Sequence, residues 1–335
     1  MTHPSHTPAV FQSLLGELVT ALDLPAAQAA TLQVRGNYSL ASCFPVSDLA
    51  TAAIGVAGLA TADLLAEGAS GLPVQVDRHL AAAWFKTSLR PLAGPIATRL
   101  LAGLGAEVLR IDPPDWDEPA QAPEVTLGKR CARLDLRRPA DRRVFEALLE
   151  DADVLVHGYR ADALERLGYG SAERRALNPA LIDVSLCAYG WTGPWALRRG
   201  YDSLVQMSCG IAAAGRDWQG GEQPVPLPVQ ALDHATGYLM AAATLRGLAL
   251  RQREGRAMTA RLSLARTAVL LSERPGASGG PAYGGPEEDD YGETQEPTAW
   301  GPALRLRAPL RIGEVELQWR RPATRLGSAT ADWSR

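Results

Sequence analysis

The chain has 335 residues, 46% of them hydrophobic and 21% charged, with a formal net charge of -3. This supplies enough apolar material for two domains, or for one large α/β domain with an appendage. The near-neutral charge excludes a global attraction to nucleic acid or anionic membrane, so any anion site must come from local arginines.

Cys43, Cys131, Cys187 and Cys209 are scattered without metal-ligand spacing, so neither a zinc site nor a disulfide framework is expected. The opening MTHPSHTPAV lacks the layout of a signal peptide, and the apolar stretch 52–66 is broken by Thr61 and Asp63. A cytoplasmic location is the expectation, with no membrane partner.

In chain order, apolar positions at helical spacing predict a helix within 8–30, from Val10 to Leu22. A second, Ala/Gly-rich helix is predicted from Phe44 to Gly68, with Ser47 as its cap. VQVDRHLAAAWF begins with strand-like alternation and becomes an ambiguous apolar run. GPIATRLLAGLG reads as a helix with Pro95 in its first turn, followed by the strand AEVLRID. GKRCARLDL is a strand, PADRRVFEALLEDA a helix, DVLVHGY a strand, ADALERLGYG a helix, and LIDVSLCAYG a buried strand. A long Ala/Leu-rich helix follows Asp233. This alternation over 95–250 predicts an open parallel sheet with crossover helices. After Leu271 a Gly/Pro-rich acidic stretch reads as a solvated linker, and ALRLRAPLRIGEVELQW alternates like strands.

GLGAEVLRID is not a dinucleotide fingerprint: Gly103 and Gly105 close a helix and precede a strand, the reverse of that motif. No nucleophile elbow or phosphate loop is present, and His79 and His157 suggest no metal. His234 reads as a polar first-turn residue. The pattern PVQALDHATGYLM places Asp233 between a short apolar run and a helix. Such an Asp either caps the helix, the commoner use, or is a nucleophilic carboxylate held near the helix N-terminus. Basic residues recur in loops after successive strands: Lys129–Arg130, Arg137, Arg160, Arg166 and Arg198–Arg199. They form either a solvated basic rim or a phosphate-binding set at the carboxyl ends of strands. Trp191, Trp195, Met207 and Trp218 serve as core packing or line an apolar acyl pocket.

Taken together and in order, LAGPIATRLLAGLGAEVLRID, GKRCARLDL, ADVLVHGYRADALERLGYG, LNPALIDVSLCAYGWTGPWALRRGYDSLVQ and ALDHATGYLMAAATLRGL resemble the family III CoA-transferases, which include 2-methylacyl-CoA racemases. The resemblance covers about 92–272. It implies an α/β fold: a Rossmann-like open parallel sheet with crossover helices over 91–272, after a helical N-terminal segment (1–90). A Gly/Pro/acidic linker (273–299) and a β-like tail (300–335) follow. It further implies an acyl-CoA:carboxylate CoA-transferase with Asp233 as the catalytic nucleophile, working through an aspartyl-CoA thioester. Coenzyme A, as acyl-CoA substrate, would be held by Leu92, Ala93, Leu134, Arg137, Gly158, Tyr159, Arg160, Arg166, Leu167, Arg199 and Tyr201.

The same resemblance implies a homodimer, with residues 300–325 packed away from their own sheet or onto the partner. The alternative is a monomer whose tail folds back onto its own domain. Gly276–Gly285 loosely matches the family's mobile glycine loop. LAAAWFKTSLRP stands where the family has an apolar strand, and 44–90 resemble an upstream part of longer members, as though an internal block before residue 92 were absent. Two other functions remain open: a racemase of the same family, disfavoured because Tyr201 replaces the racemase histidine, and a shortened inactive CoA-binding homologue.

Overall fold

In the computed structural model, which describes residues 9–66, 71–87, 93–118 and 120–333, an amphipathic helix comes first, α1 (Ala9–Ala21). Its Phe11, Leu14, Leu15 and Leu18 bury one face, as their spacing requires. A short α2 (Ala26–Ala29) leads into β1 (Leu32–Arg35), α3 (Val46–Leu65), β2 (Val74–Asp77) and α4 (Arg78–Lys86). β1 and β2 pair in parallel, Leu32 opposite Val74, which makes α3 the crossover of a β–α–β unit. The N-terminal part thus carries strands as well as the expected helices. Ser47 is not the cap of α3; its hydroxyl lies inside the helix and accepts from the Leu40 N–H at 2.8 Å.

α3 lies so close to its sheet that position 58 has no room for a side chain. A Cβ on Gly58 would sit 2.6 Å from side-chain atoms of both Val74 and Leu310. Gly58→Val is therefore expected to overpack this layer, lowering stability by about 1–3 kcal/mol. The check is urea unfolding, where the midpoint should fall at unchanged slope; an unmoved midpoint would mean that α3 can retreat at no cost.

The second part runs α5 (Ala93–Gly103), β3 (Val108–Asp112), α6 (Ala122–Val125), β4 (Lys129–Arg133), α7 (Pro139–Asp151), β5 (Val154–His157), α8 (Ala163–Arg166), α9 (Ser171–Leu177) and β6 (Ile182–Cys187). It continues through α10 (Asp202–Ser208), α11 (Ile211–Gln219), α12 (Ala231–Glu254), β7 (Thr259–Ser263) and α13 (Leu264–Ser272). β3 pairs with β4, and β5 with β6 and then β7, all in parallel. The α/β class with crossover helices is therefore as expected. The parallel strands lie in two groups, β3–β4 and β5–β6–β7, and among the described residues no strand joins β3 to β5. The apolar run before residue 87 forms α4 instead, because Asp77 caps it, accepting from the N–H groups of His79 and Leu80.

α12 is the axis of the core. It is buried along most of its 24 residues and packs on α3 along one side and on α5 along another. By length and composition α3 could cross a membrane, but its flanks are covered by α1, α12 and the β1–β2 sheet. Its buried Asp63 pairs with Arg246 and Arg253 of α12.

The C-terminal region packs on its own chain, which corrects the expectation for residues 300–325. After the hairpin of β8 (Glu296–Thr298) and β9 (Gly301–Ala303), β10 (Leu310–Ile312) adds antiparallel to β2, and β11 (Val315–Glu316) pairs with β10. Leu310 and Ile312 are buried there, so the strand finds its apolar face at home rather than on a partner. Trp319 lies over α5 and donates its indole N–H to the Arg99 carbonyl at 2.8 Å. The Gly/Pro-rich stretch is mostly exposed, but it is anchored at a few buried points. The Ser278 hydroxyl donates to buried Asp48 at 2.8 Å, and Tyr283 N–H donates to the Ser39 carbonyl.

Candidate functional site

No strand precedes α12; residues 222–230 are irregular, and Gln230 provides no side-chain cap. Asp233 is consequently the third residue of the helix rather than a strand–helix junction. It is 6% exposed. Its carboxyl accepts from the backbone N–H of Ala93, the first residue of α5. The N-terminus of α5, with its N–H groups and partial positive charge, thus points at this carboxyl, which itself stands in the first turn of α12. Gly237, one turn further along α12, permits this approach. A Cβ there would lie 2.8 Å from the Ala93 carbonyl oxygen and from Ile96.

The cap that α12 lacks in its own sequence comes from Asp202, the first residue of α10. Its Oδ2 accepts from the Asp233 N–H at 2.8 Å, and it also takes the Leu232 N–H. Gln206 donates to the other oxygen, while the Gln206 amide oxygen accepts from Leu227 N–H at 2.7 Å. Asp202, buried and so fixed, faces the nucleophile candidate. Sequence reasoning had no signal for this pairing beyond an Asp at a helix start.

Two buried carboxyls near enough to feel each other's charge cannot both ionise easily. Burial, joined by the charge of Asp202, holds the Asp233 carboxyl well above the usual range, against the Ala93 N–H that favours its anion. Burial likewise pushes Asp202 up to about 6, against its bonds from Asp233 N–H, Gln206 and Leu232 N–H. Both folded pKa values are raised, so in this range the folded chain binds more protons than the unfolded one. Stability is full below about pH 4 and falls as pH rises toward the folded values. Asp202→Asn keeps one oxygen to accept from the Asp233 and Leu232 N–H groups, gives up the bond from Gln206 and removes the charge. We expect it to raise stability by about 2 kcal/mol at pH 8 and to change little at pH 4. Chemical denaturation at the two pH values checks this, and an equal loss at both would contradict it.

Around the carboxyl pair the site is apolar. His234 is buried and stacks on Phe85 with ring centroids 4.9 Å apart, and neither ring nitrogen has a partner. Burial, with Arg99 nearby, pushes its pKa down to about 3, so the imidazole is neutral. The expected polar first-turn role is thereby corrected: position 234 faces α4 rather than solvent. Phe85 also stacks on Tyr238, 5.9 Å away.

The positions implied to hold coenzyme A fall into three groups. Ala93, Arg199 and Tyr201 belong with the carboxyl pair: Ala93 touches Asp233, Tyr201 directly precedes Asp202, and Arg199 lies three positions before it. Tyr201 is 61% exposed. Leu134 and Arg137 follow β4, and Gly158, Tyr159 and Arg160 follow β5, all at carboxyl ends of parallel strands. Leu134 is buried, whereas Arg137 is exposed and held by Asp135 of its own loop at 2.7 Å. Arg166, also exposed, is paired with Asp162 at 2.5 Å, and Leu167 ends α8. Leu92 lies outside the described residues.

Lys129 and Arg130 are not part of a phosphate-binding rim. They open β4 rather than follow it. Lys129 is 2% exposed and its ammonium donates to the Pro95 carbonyl at 2.8 Å. Burial and the neighbouring Arg110 hold it well below the ordinary lysine range. Arg130 is occupied by Asp332 at the C-terminal end. Trp195, Met207 and Trp218 are exposed rather than core residues. The Gly276–Gly285 run packs on the N-terminal part, through Ser278 and Tyr283. Among the described residues no group of three metal-ligating side chains occurs.

Residues 89–302 match the family described as CoA-transferase family III. A probable fatty acyl-CoA transferase of Mycobacterium tuberculosis is 31% identical over 194 residues, covering 54% of this chain and 49% of that protein. The succinate–glutarate CoA-transferase of Agrobacterium fabrum is 31% identical over 205 residues, covering 55% of this chain and 51% of its own length. A crystal structure of the Mycobacterium tuberculosis protein superposes on 54% of this chain and 53% of that one, at 30% identity and a TM-score of 0.49. The chain spans about half the length of these relatives.

Proposed function

The chain belongs to CoA-transferase family III, and from that premise we propose that it moves coenzyme A from an acyl-CoA donor to a carboxylate acceptor, with Asp233 as nucleophile. The observation that carries this reading is the buried Asp233 carboxyl, in the first turn of α12, held at the N-terminus of α5 by the Ala93 N–H. N–H groups so placed favour a carboxylate and the oxyanions formed from it.

The reaction runs in four balanced steps. The Asp233 carboxylate attacks the thioester carbonyl; the C–S bond breaks, leaving an acyl-aspartyl anhydride and CoA thiolate. The thiolate attacks the aspartyl carbonyl, forming aspartyl-CoA and releasing the donor's carboxylate. The acceptor carboxylate then attacks aspartyl-CoA, giving a second mixed anhydride and thiolate. Attack of the thiolate on the acceptor's carbonyl yields the new acyl-CoA and regenerates Asp233. No proton is gained or lost overall, but Asp233 must be ionised at the start. Its raised pKa makes the first step faster at higher pH. Arg160 and Arg199, in loops beyond the strands, suit the anionic phosphates of the cofactor.

Trapping tests the intermediate. The chain is incubated with acetyl-CoA and hydroxylamine, then digested and weighed. A hydroxamate mass shift confined to the peptide carrying Asp233 is the expected result; an unmodified peptide, with CoA exchange still proceeding, would overturn the assignment. A two-fold homodimer is part of this reading. Leu197, Tyr201, Leu204, Met207 and Trp218 are all exposed in one stretch beside Asp202, and apolar side chains of this size favour a partner surface. Light scattering decides it against the chain mass of 35.7 kDa.

A further inference from the structure

Lys129 takes no part in the chemistry set out above, yet it is among the largest fully buried side chains of the protein. Its surroundings offer its charge no partner. The neighbouring carboxylate, Asp112, is gripped by Arg110 at 2.8 and 2.9 Å. Arg110 and Arg99 present like charge, and Cys131 a buried thiol. Among the described residues no carboxylate pairs with Lys129. An ammonium without a counter-ion is costly to bury, and a leucine or methionine would fill the same space at less cost. Core packing alone therefore does not account for a lysine here.

What the ammonium does hold is the Pro95 carbonyl, at 2.8 Å. Pro95 stands in the first turn of α5, two residues after Ala93. β4 begins near the other end of that helix, since a Cβ on Gly128 would lie 2.7 Å from the Ala102 Cβ. From Ala102 back to Pro95 is two turns, about 10 Å along the helix axis. The long unbranched side chain of Lys129 runs back over much of that distance, and so ties the start of α5 to the β3–β4 pair. On its other side the same turn meets α12, where the Ala93 N–H bonds the Asp233 carboxyl.

We propose that Lys129 is a positioning residue, which pins the first turn of α5 and so sets the Ala93 N–H against the Asp233 carboxyl. Its consequence for turnover rests on Asp233 being the nucleophile; its structural part does not. An amine that loses its proton still donates, so the brace holds in either protonation state. Without it the turn can shift, and a displacement of about 1 Å is enough to slow a reaction about a hundredfold.

The test is Lys129→Met in the full chain, which keeps the side chain's length and removes the donor. The Ala93 N–H begins its helix and has no acceptor within it, so its hydrogen exchange reports the contact with Asp233. That amide should exchange about tenfold faster in the variant, with those of Leu100 and Leu101 unchanged. CoA release from acetyl-CoA in hydroxylamine should fall about tenfold to a hundredfold in kcat, with KM for acetyl-CoA held within about twofold. Unchanged exchange at Ala93 would overturn the proposal, as would a loss confined to KM. Faster exchange along the whole of α5 would also overturn it, by showing that the lysine supports the core in general. If the Met variant fails to fold, Lys129→Gln, which keeps a polar head, is read in the same way. A parent chain that releases no CoA would count against Asp233 as nucleophile, whereas exchange at Ala93 would still decide the role of Lys129.

Discussion

Asp233→Asn should cost CoA transfer about a million-fold in turnover, the scale seen when a covalent nucleophile is removed, while leaving the chain better folded at alkaline pH. The two effects have separate causes. The amide cannot attack a thioester carbonyl, so the covalent route closes. It matches the carboxyl in shape, however, and ends the repulsion of Asp202. The raised folded pKa means that Asp233 subtracts stability as pH rises above about 4. The variant should accordingly unfold at higher urea than the parent at pH 8, by about 1–2 kcal/mol, and match it near pH 4. A variant retaining more than a hundredth of the parental rate would remove Asp233 from the nucleophile's role. One that unfolds would instead show that the carboxyl is needed for packing.

The largest effect on stability is expected at Asp48, far from the carboxyl pair. Asp48 is 1% exposed and pairs with Arg78, itself 4% exposed, at 2.7 Å. It also accepts from Ser278 of the Gly-rich stretch. Asp48→Ala strands the buried guanidinium and releases that stretch together, and should cost about 3–5 kcal/mol. Replacing the pair together, Asp48→Leu with Arg78→Met, should recover much of that loss, because the penalty lies in the orphaned charge. If the single and the double variant are equally unstable, the ion pair itself is the source of stability.

How far the sequence carried this picture varies by element. Helix and strand alternation over 95–250 was legible because each run shows its own periodicity and its own breaker. The start of α12 was also legible, but the meaning of its aspartate was not. The plain capping role weighed for Asp233 belongs in fact to Asp77, where VQVD turns into α4, while the cap of α12 is Asp202, 31 positions earlier. No local pattern encodes a contact at that separation. Lys129 misled for a related reason. A lysine beside an arginine at a strand start reads as surface charge, yet strand alternation turns one of the two inward beneath α5. The grouping of the strands was half legible: LAAAWFKT fails as a strand, and among the described residues β3 and β5 belong to separate parallel sheets.

The pairing of β2 with β10 bears on how the chain reaches this state. Val76 finds Leu310 across the sheet, and the last described residue, Trp333, donates to the Leu148 carbonyl. During synthesis the apolar α3 emerges long before α12 and β10, the two elements that cover it. The nascent chain therefore holds a sticky intermediate for most of its translation, and non-local contacts of this kind form slowly. α3 can accordingly be covered completely only after Leu310–Ile312 of β10 has been made and has found β2.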